Sequence, residues 1–469
     1  MSGSRMTSSN NEASCISTGD RSPRQLGEAP KITDSSMLGR CVRRVIAGPQ
    51  DREVPRSLVP RSGAGGFGFG REVGSGHNEG VKYVVLVPDG CADEPFEGLG
   101  GRTPLQVART PVLDSLAARG TVGRAGVIPE GMPPGSDVGN MSILGYDPAE
   151  FHTGRAPIEA ASLGLKLASD RLAYRCNLVT VGADNTMLDF AGGHPDTDVA
   201  TKVIEDLDAT LGRGNPDSDL EFHAGVEYRH IMVAPADWLD AECVPPHDLT
   251  AKQSVWPTGA AAARLTELME ASKAVLARHP QVDANQIWLW GQGFQPSMPN
   301  FADHHRVSGG ITTAVDLVRG LGVLTDMALP DVEGATAGYD TDYAAQRDAA
   351  LSGLADGLDL FVIHVEATDE AGHAGDAAEK VRSLELWDSE ILAGLVPGLD
   401  EMGPWRLLML ADHATPLGLR THTSDPVPYL LVDSAVAGPG GEYTESGVAD
   451  EPVVPGHELL TRLIAPVGA

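Results

Sequence analysis

Three stretches of this chain read as strands buried on both faces, and each one ends in a carboxylate. "VKYVVLVPDG" carries an unbroken apolar, β-branched run from Val81 to Val87 that stops at Pro88-Asp89-Gly90. "LDLFVIHVEATDEAGH" runs from Leu358 to Val365 and turns into a helical pattern holding Asp369 and His373. "WRLLMLADHATP" runs from Trp405 to Ala411 and ends at Asp412-His413. Apolar strands of this kind belong to sheets covered on both faces. Helical patterns lie between them, such as "TPVLDSLAARG" and "GGITTAVDLVRGLGVL". Strands alternating with helices predict an α/β fold on a mostly parallel sheet flanked by helices. Ligands bind such sheets beyond the carboxyl ends of the strands, which is where these three place their carboxylates.

The spacing suits metal chemistry. Asp369 and His373 are four apart and share one face of a helix. Asp412 and His413 are adjacent on a turn, where they can point to different ions. Downstream, "RTHTSDPVP" offers His422 in a loop held by prolines. With Asp89 and Ser136 these make three aspartates, three histidines and one hydroxyl, enough for two ions with positions left for substrate oxygens. Taken singly each has a bland reading, as a cap, a solvated helix pair or a loop histidine. Of the other histidines, the His304-His305 doublet and His223, His230 and His279 read as solvent-facing.

"MPPGSDVGNMSILGYDP", Met132 to Pro148, holds Ser136 between prolines and glycines just ahead of an apolar run. Alone, it reads as an ordinary helix N-cap. Beside the other six residues it reads as a nucleophile at a helix N-terminus, where free N–H groups favour a phosphate. A serine hydroxyl is a poor nucleophile at neutral pH, and no histidine lies near it in sequence. A divalent ion on Oγ favours the alkoxide.

Composition narrows the partners. The formal net charge is −30 over 469 residues. Residues 1–80 hold 11 Lys and Arg against 8 Asp and Glu, so the rest carries −33. So acidic a surface repels nucleic acid and anionic lipid. No apolar run approaches the ~20 residues of a membrane span. The five cysteines (Cys15, Cys41, Cys91, Cys176 and Cys243) are scattered, with no C-x-x-C pair, which predicts free thiols in a reducing, cytoplasmic compartment. "MTSSNNEAS" and "SGAGGFGFG" mark residues 1–79 as a disordered, dispensable extension, as from a start codon placed too far upstream. Its acids argue against a transit peptide, and it has no apolar signal core.

Residues 172–308 read as a smaller α+β domain inserted in the first. Short strands ("AYRCNLVTV", "NTMLDFAGG", "YRHIMVA", "NQIWLWGQG") surround a helical stretch near Ala260 to Arg278. That leaves 80–171 and 309–469 as a discontinuous catalytic domain.

"VPDGCADEP", "PPGSDVGNMSILGYDP", "GRAPIEAASLG", "YRCNLVT", "EATDEAGH", "ADHATP" and "HTSDPVP" resemble the archaeal-type cofactor-independent phosphoglycerate mutases, of the alkaline phosphatase superfamily. The resemblance runs from about Val81 to the C-terminus. It implies interconversion of 3-phosphoglycerate and 2-phosphoglycerate, a small phosphorylated hydroxy acid, through a phosphoserine on Ser136. It assigns Asp369, His373 and His422 to one ion, and Asp89, Asp412, His413 and the Ser136 hydroxyl to the other. It also implies that the inserted domain closes as a lid. Arg155 and Arg175 are the expected grips on phosphate or carboxylate, since the guanidinium fork matches both; a surface salt bridge is the bland reading of each. The mixed Asp/His set suits Mn²⁺, Zn²⁺ or Co²⁺ better than Mg²⁺, and no organic cofactor is needed. Two departures fall in the inserted domain: Phe294-Gln295 stands where relatives often carry basic residues, and "FAGGHPD", Phe190 to Asp196, differs from the usual "SAGHI"-like pattern. A metal-dependent phosphomonoesterase and a homoserine-kinase-like phosphotransferase are the alternatives. A metal-binding scaffold without catalysis would have no reason to keep a serine among the ligands.

Overall fold

The structure is a computed structural model, and it describes residues 80–465. The expected extension over 1–79, with Cys15 and Cys41, lies outside the described residues.

Among the described residues, twelve strands form two sheets. The larger draws on both ends of the chain: β1 (Lys82–Pro88) and β2 (Thr121–Gly126), then β8 (Gly309–Thr312), β9 (Leu360–Val365), β10 (Trp405–Leu410), β11 (Val427–Asp433) and β12 (Val453–Pro455). Their spatial order is β12-β2-β11-β10-β1-β9-β8. The four strands β10, β1, β9 and β8 are mutually parallel, and β11 runs antiparallel to both its neighbours. The three apolar runs are thus the adjacent central strands β9, β1 and β10, every residue of β9 and β10 being buried. "GGIT" forms β8, and the helix expected there begins only at Asp316 and ends at Leu324. Glycines there let the strand lie flush against Phe301 and Phe361, whose rings a Cβ at 309 or 310 would strike.

The second sheet holds β3 (Arg171–Val181), β4 (Met187–Asp189), β5 (Glu221–His223), β6 (Arg229–Pro235) and β7 (Gln286–Gly293), all paired antiparallel. Two helices, Thr197–Leu211 and Ala262–Leu276, cover it. It has its own apolar core around Tyr174, Leu207, Met232, Leu265 and Trp288. The larger core gathers Val84, Leu86, Phe361, Trp387 and Leu408. Between them lies the helix Arg155–Ser162, whose Ala156 and Ala160 pack on Ala173, Ile231 and Val233.

Candidate active site

Each central strand delivers its carboxylate where it ends. Asp89 follows β1 directly. Asp369 and His373 lie on the helix Ala367–Ala374 after β9. Asp412 and His413 follow β10, and His422 lies in the loop before β11. Asp89, Asp412 and His413 are fully buried. Ser136 is not an N-cap: Gly135 occupies that position, and Ser136 is the first residue of the helix Ser136–Ile143. Its Oγ lies 3.2 Å from His413 Nε2, a neighbour 277 residues away in sequence.

The seven side chains form two adjoining groups. Asp369 Oδ2 is 3.2 Å from His373 Nε2, and its Oδ1 is 3.5 Å from His422 Nε2. The two imidazole nitrogens stand 2.9 Å apart. On the other side His413 Nε2 lies 3.6 Å from Asp89 Oδ1 and 3.5 Å from Asp412 Oδ2. Ligand atoms about 2.1 Å from a common ion, at right or tetrahedral angles, stand about 3.0–3.4 Å apart. The separations in the two groups, 2.9 to 3.6 Å, bracket this range.

Hydrogen bonds orient the imidazoles so that a ring nitrogen of each faces the carboxylates. Thr415 Oγ1 donates to Asp369 Oδ1 at 2.5 Å, so at His413 it can only accept, and His413 Nδ1–H is the donor, at 3.1 Å. That leaves the Nε2 lone pair facing Asp89, Asp412 and Ser136. His373 Nδ1 likewise donates to the Arg420 carbonyl at 3.1 Å, turning its Nε2 toward Asp369. Asp412 is fixed by Gly90 N–H at 3.2 Å and Asn140 Nδ2 at 2.8 Å.

The charge in this pocket calls for cations. Burial, then the neighbouring Asp412 and Asp369, push the Asp89 carboxyl well above the usual range. Both its oxygens are buried without a hydrogen-bond donor. Burial also acts on Asp369, but hydrogen bonds from His373 and His422 outweigh it and hold this carboxyl well below the usual range. His373 is raised to about 9: burial opposes the shift, and Asp369 overcomes it. Burial lowers His413 to about 4, so it stays neutral and free to ligate. Orphaned carboxylate oxygens beside lone-pair-bearing imidazoles fit divalent ions.

Arg155 and Arg175 sit together, and neither makes a surface salt bridge. Arg155 Nε and Arg175 Nη1 reach the same oxygen, Oε1 of Glu159, at 2.8 and 2.5 Å. Their guanidiniums lie 5.6 and 4.9 Å from the Trp290 ring centre. One carboxylate between two arginines leaves net positive charge, and Arg175 Nε is buried without a partner. Sequence reasoning missed Arg229, at the start of β6, whose Nε is likewise buried and unpartnered. It missed His152, which holds Asp137, the neighbour of Ser136, at 2.8 Å. It also missed His364 inside β9, where a polar residue in an otherwise apolar run was the available signal. His230 and His305, expected to face solvent, are buried instead: His230 Nδ1 accepts from Gly225 N–H, and His305 Nε2 donates to the Leu144 carbonyl. His304 is exposed, as read, and His223 and His279 are half-buried.

This centre and this sheet define an α/β enzyme whose carboxylates, imidazoles and serine meet at the carboxyl edge. The profile of the 2,3-bisphosphoglycerate-independent phosphoglycerate mutases matches residues 117–282. An enzyme of that name from Methanothrix thermoacetophila is 43% identical over 400 residues, covering 82% of this chain and all of its own length. One named as a probable such mutase, from Geobacter sulfurreducens, is 43% identical over 387 residues, 78% of this chain and 95% of its own. Among solved structures, a Pyrococcus horikoshii protein superposes with a TM-score of 0.65 at 25% identity, over 82% of this chain and 96% of its own. The cofactor-independent phosphoglycerate mutase of Thermoplasma acidophilum shares the fold, with a TM-score of 0.51 at 21% identity, over 82% of this chain and all of its own. The chain belongs to the 2,3-bisphosphoglycerate-independent phosphoglycerate mutase family. Among the described residues no helix is long and apolar enough to cross a membrane, and Cys91, Cys176 and Cys243 are free thiols.

Proposed function

We propose that this chain interconverts 3-phosphoglycerate and 2-phosphoglycerate without 2,3-bisphosphoglycerate, with Ser136 taking the phosphoryl group and returning it. The observation that carries the reading is the place of Ser136 Oγ, 3.2 Å from His413 Nε2 in a buried Asp/His cluster and at the start of a helix. The serine's backbone position turns its Oγ toward the cluster, and N–H groups of the first turn face the charge that arrives there. In the forward half-reaction the Oγ–P bond forms, the bond from phosphorus to the C3 oxygen breaks, and the proton given up by the serine hydroxyl passes to that oxygen. In the return, the C2 hydroxyl attacks phosphorus, Oγ leaves, and the C2 hydroxyl proton passes to Oγ, restoring the site.

Two divalent ions, one held by Asp369, His373 and His422 and one by Asp89, Asp412, His413 and Ser136, would supply the positive charge that favours the serine alkoxide and screens the phosphoryl oxygens. The donor set suits Mn²⁺, Zn²⁺ or Co²⁺ over Mg²⁺. Arg155 and Arg175, joined by Arg229, hold the glycerate carboxylate and phosphate from the side of the inserted sheet. Residues 172–308 act as a lid, because phosphoserine must be kept from water if the group is to return to glycerate. The reaction belongs to glycolysis and gluconeogenesis, and free scattered thiols fit a cytoplasmic site.

Trapping tests the reading. Protein mixed with 3-phosphoglycerate, quenched in acid and digested should yield the peptide around Ser136 carrying one phosphate. An unmodified peptide during active turnover would contradict it.

A further inference from the structure

His247 lies on a single turn, Pro246–Leu249, between β6 and the helix Ala262–Leu276 of the inserted region. Its ring makes T-shaped contacts with Trp290, 5.3 Å between centres, and with Phe190, at 6.2 Å. Trp290 is also the ring on which Arg155 and Arg175 rest, so the imidazole adjoins the proposed grip on phosphate and carboxylate. Arg155 in turn acts on Asp137, the neighbour of Ser136. The two aromatic rings hold the imidazole without engaging its nitrogens. Among the described residues those nitrogens meet only Asp248, Nε2 to Oδ1 at 3.8 Å, which is beyond hydrogen-bond reach. The side chain is 43% exposed, so it is no part of the core. Charges face it from the arginines and from the Asp/His cluster alike. Burial first, then Arg155, Arg175, His422 and His373, lower its pKa to about 3. A fixed imidazole with both nitrogens unengaged, between the phosphate grip and the nucleophile's cluster, is placed to meet a group on the substrate.

We propose that His247 carries the proton to and from the glycerate oxygens. This rests on the mutase reading above and deepens it. In the forward half-reaction the ring takes up the proton that Ser136 gives up. As the bond from phosphorus to the C3 oxygen breaks, the imidazolium hands that proton to the oxygen. In the return the neutral ring takes the C2 hydroxyl proton as that oxygen attacks phosphorus, and hands it back to Oγ as Oγ leaves. One proton is given and one is taken in each half, so the ring ends the cycle as it began. A phosphorylated acid seated among the arginines offsets their charge and returns the imidazole toward its ordinary pKa of about 6.5. There a single group serves as both acid and base.

The test uses the full chain with Mn²⁺ and 3-phosphoglycerate. His247→Gln keeps a polar side chain that can hydrogen-bond and cannot carry a proton. The position is outside the core, so thermal melting should match that of the unaltered chain. Turnover should fall about 10²- to 10⁴-fold, while KM stays within about threefold. Added imidazole, which a merely structural role would not answer to, should restore part of the rate. Turnover within about fivefold of the unaltered chain, a loss confined to KM, or a loss that imidazole leaves untouched would overturn the proposal. An unaltered chain that forms no 2-phosphoglycerate in the same assay would instead undo the mutase reading itself, and the proposal with it.

Discussion

A Cβ at position 139 would lie 1.9 Å from the Asp412 carbonyl oxygen. The helix carrying Ser136 therefore reaches the Asp412-His413 turn only because residue 139 has no side chain, and this close approach sets the distance from Ser136 to His413. Gly139→Ala is expected to cost about 1–3 kcal/mol of stability, the usual range for overpacking, and to cut turnover far more than this loss explains. Thermal melts beside steady-state rates check both. His230 shows a different residue-level effect. Burial first, then Arg175 and Arg229, lower its pKa to about 3, against about 6.5 in an unfolded chain. Between those values the unfolded state binds a proton that the folded state does not, so stability falls as pH drops below about 6.5. His230→Asn should remove up to one proton's worth of this slope, about 1.4 kcal/mol per pH unit. Urea denaturation between pH 7.5 and 5.5 measures it, and an unchanged slope would refute the assignment.

At the scale of elements, much was legible and the gaps have physical causes. Mostly apolar runs marked β1, β9 and β10, since a strand covered on both faces has few polar positions to spare. The four-residue spacing of Asp369 and His373 held because both fall on one short helix. "GGIT" was misread as helix because its small residues carry no period of their own. Thr415, Asn140 and Glu159 were invisible as orienting residues, because their roles depend on partners brought together by the fold. Lys380 is another such case. It lies fully buried on the helix Ala377–Leu386, where its Nζ meets Asp93 Oδ2 at 2.7 Å and the Thr415 carbonyl at 2.8 Å. Asp93 in turn accepts from Leu417 N–H at 3.1 Å. One ammonium thus ties the loop after β1 to the loop after β10. Lys380→Met should cost about 3–5 kcal/mol by leaving Asp93 charged and unpaired. Adding Asp93→Asn should recover part of that loss in the same unfolding assay.

Among the described residues, two sheets of opposite character stand on either side of the helix Arg155–Ser162. The mostly parallel sheet brings the acids and imidazoles, and the antiparallel sheet brings Arg175 and Arg229. A chain with a net charge of −30 has to gather positive charge locally to hold a phosphorylated acid, and we propose the arginine cluster on Glu159 and Trp290 for that role. The most direct measurement is a phosphorus NMR time course of the full chain with Mn²⁺ and 3-phosphoglycerate, with 2,3-bisphosphoglycerate omitted, beside Ser136→Ala. A 2-phosphoglycerate signal that grows with the unaltered chain and is absent with Ser136→Ala is the expected result. Inorganic phosphate in its place would contradict the mutase reading, and 2-phosphoglycerate formed at full rate by Ser136→Ala would contradict transfer through Ser136.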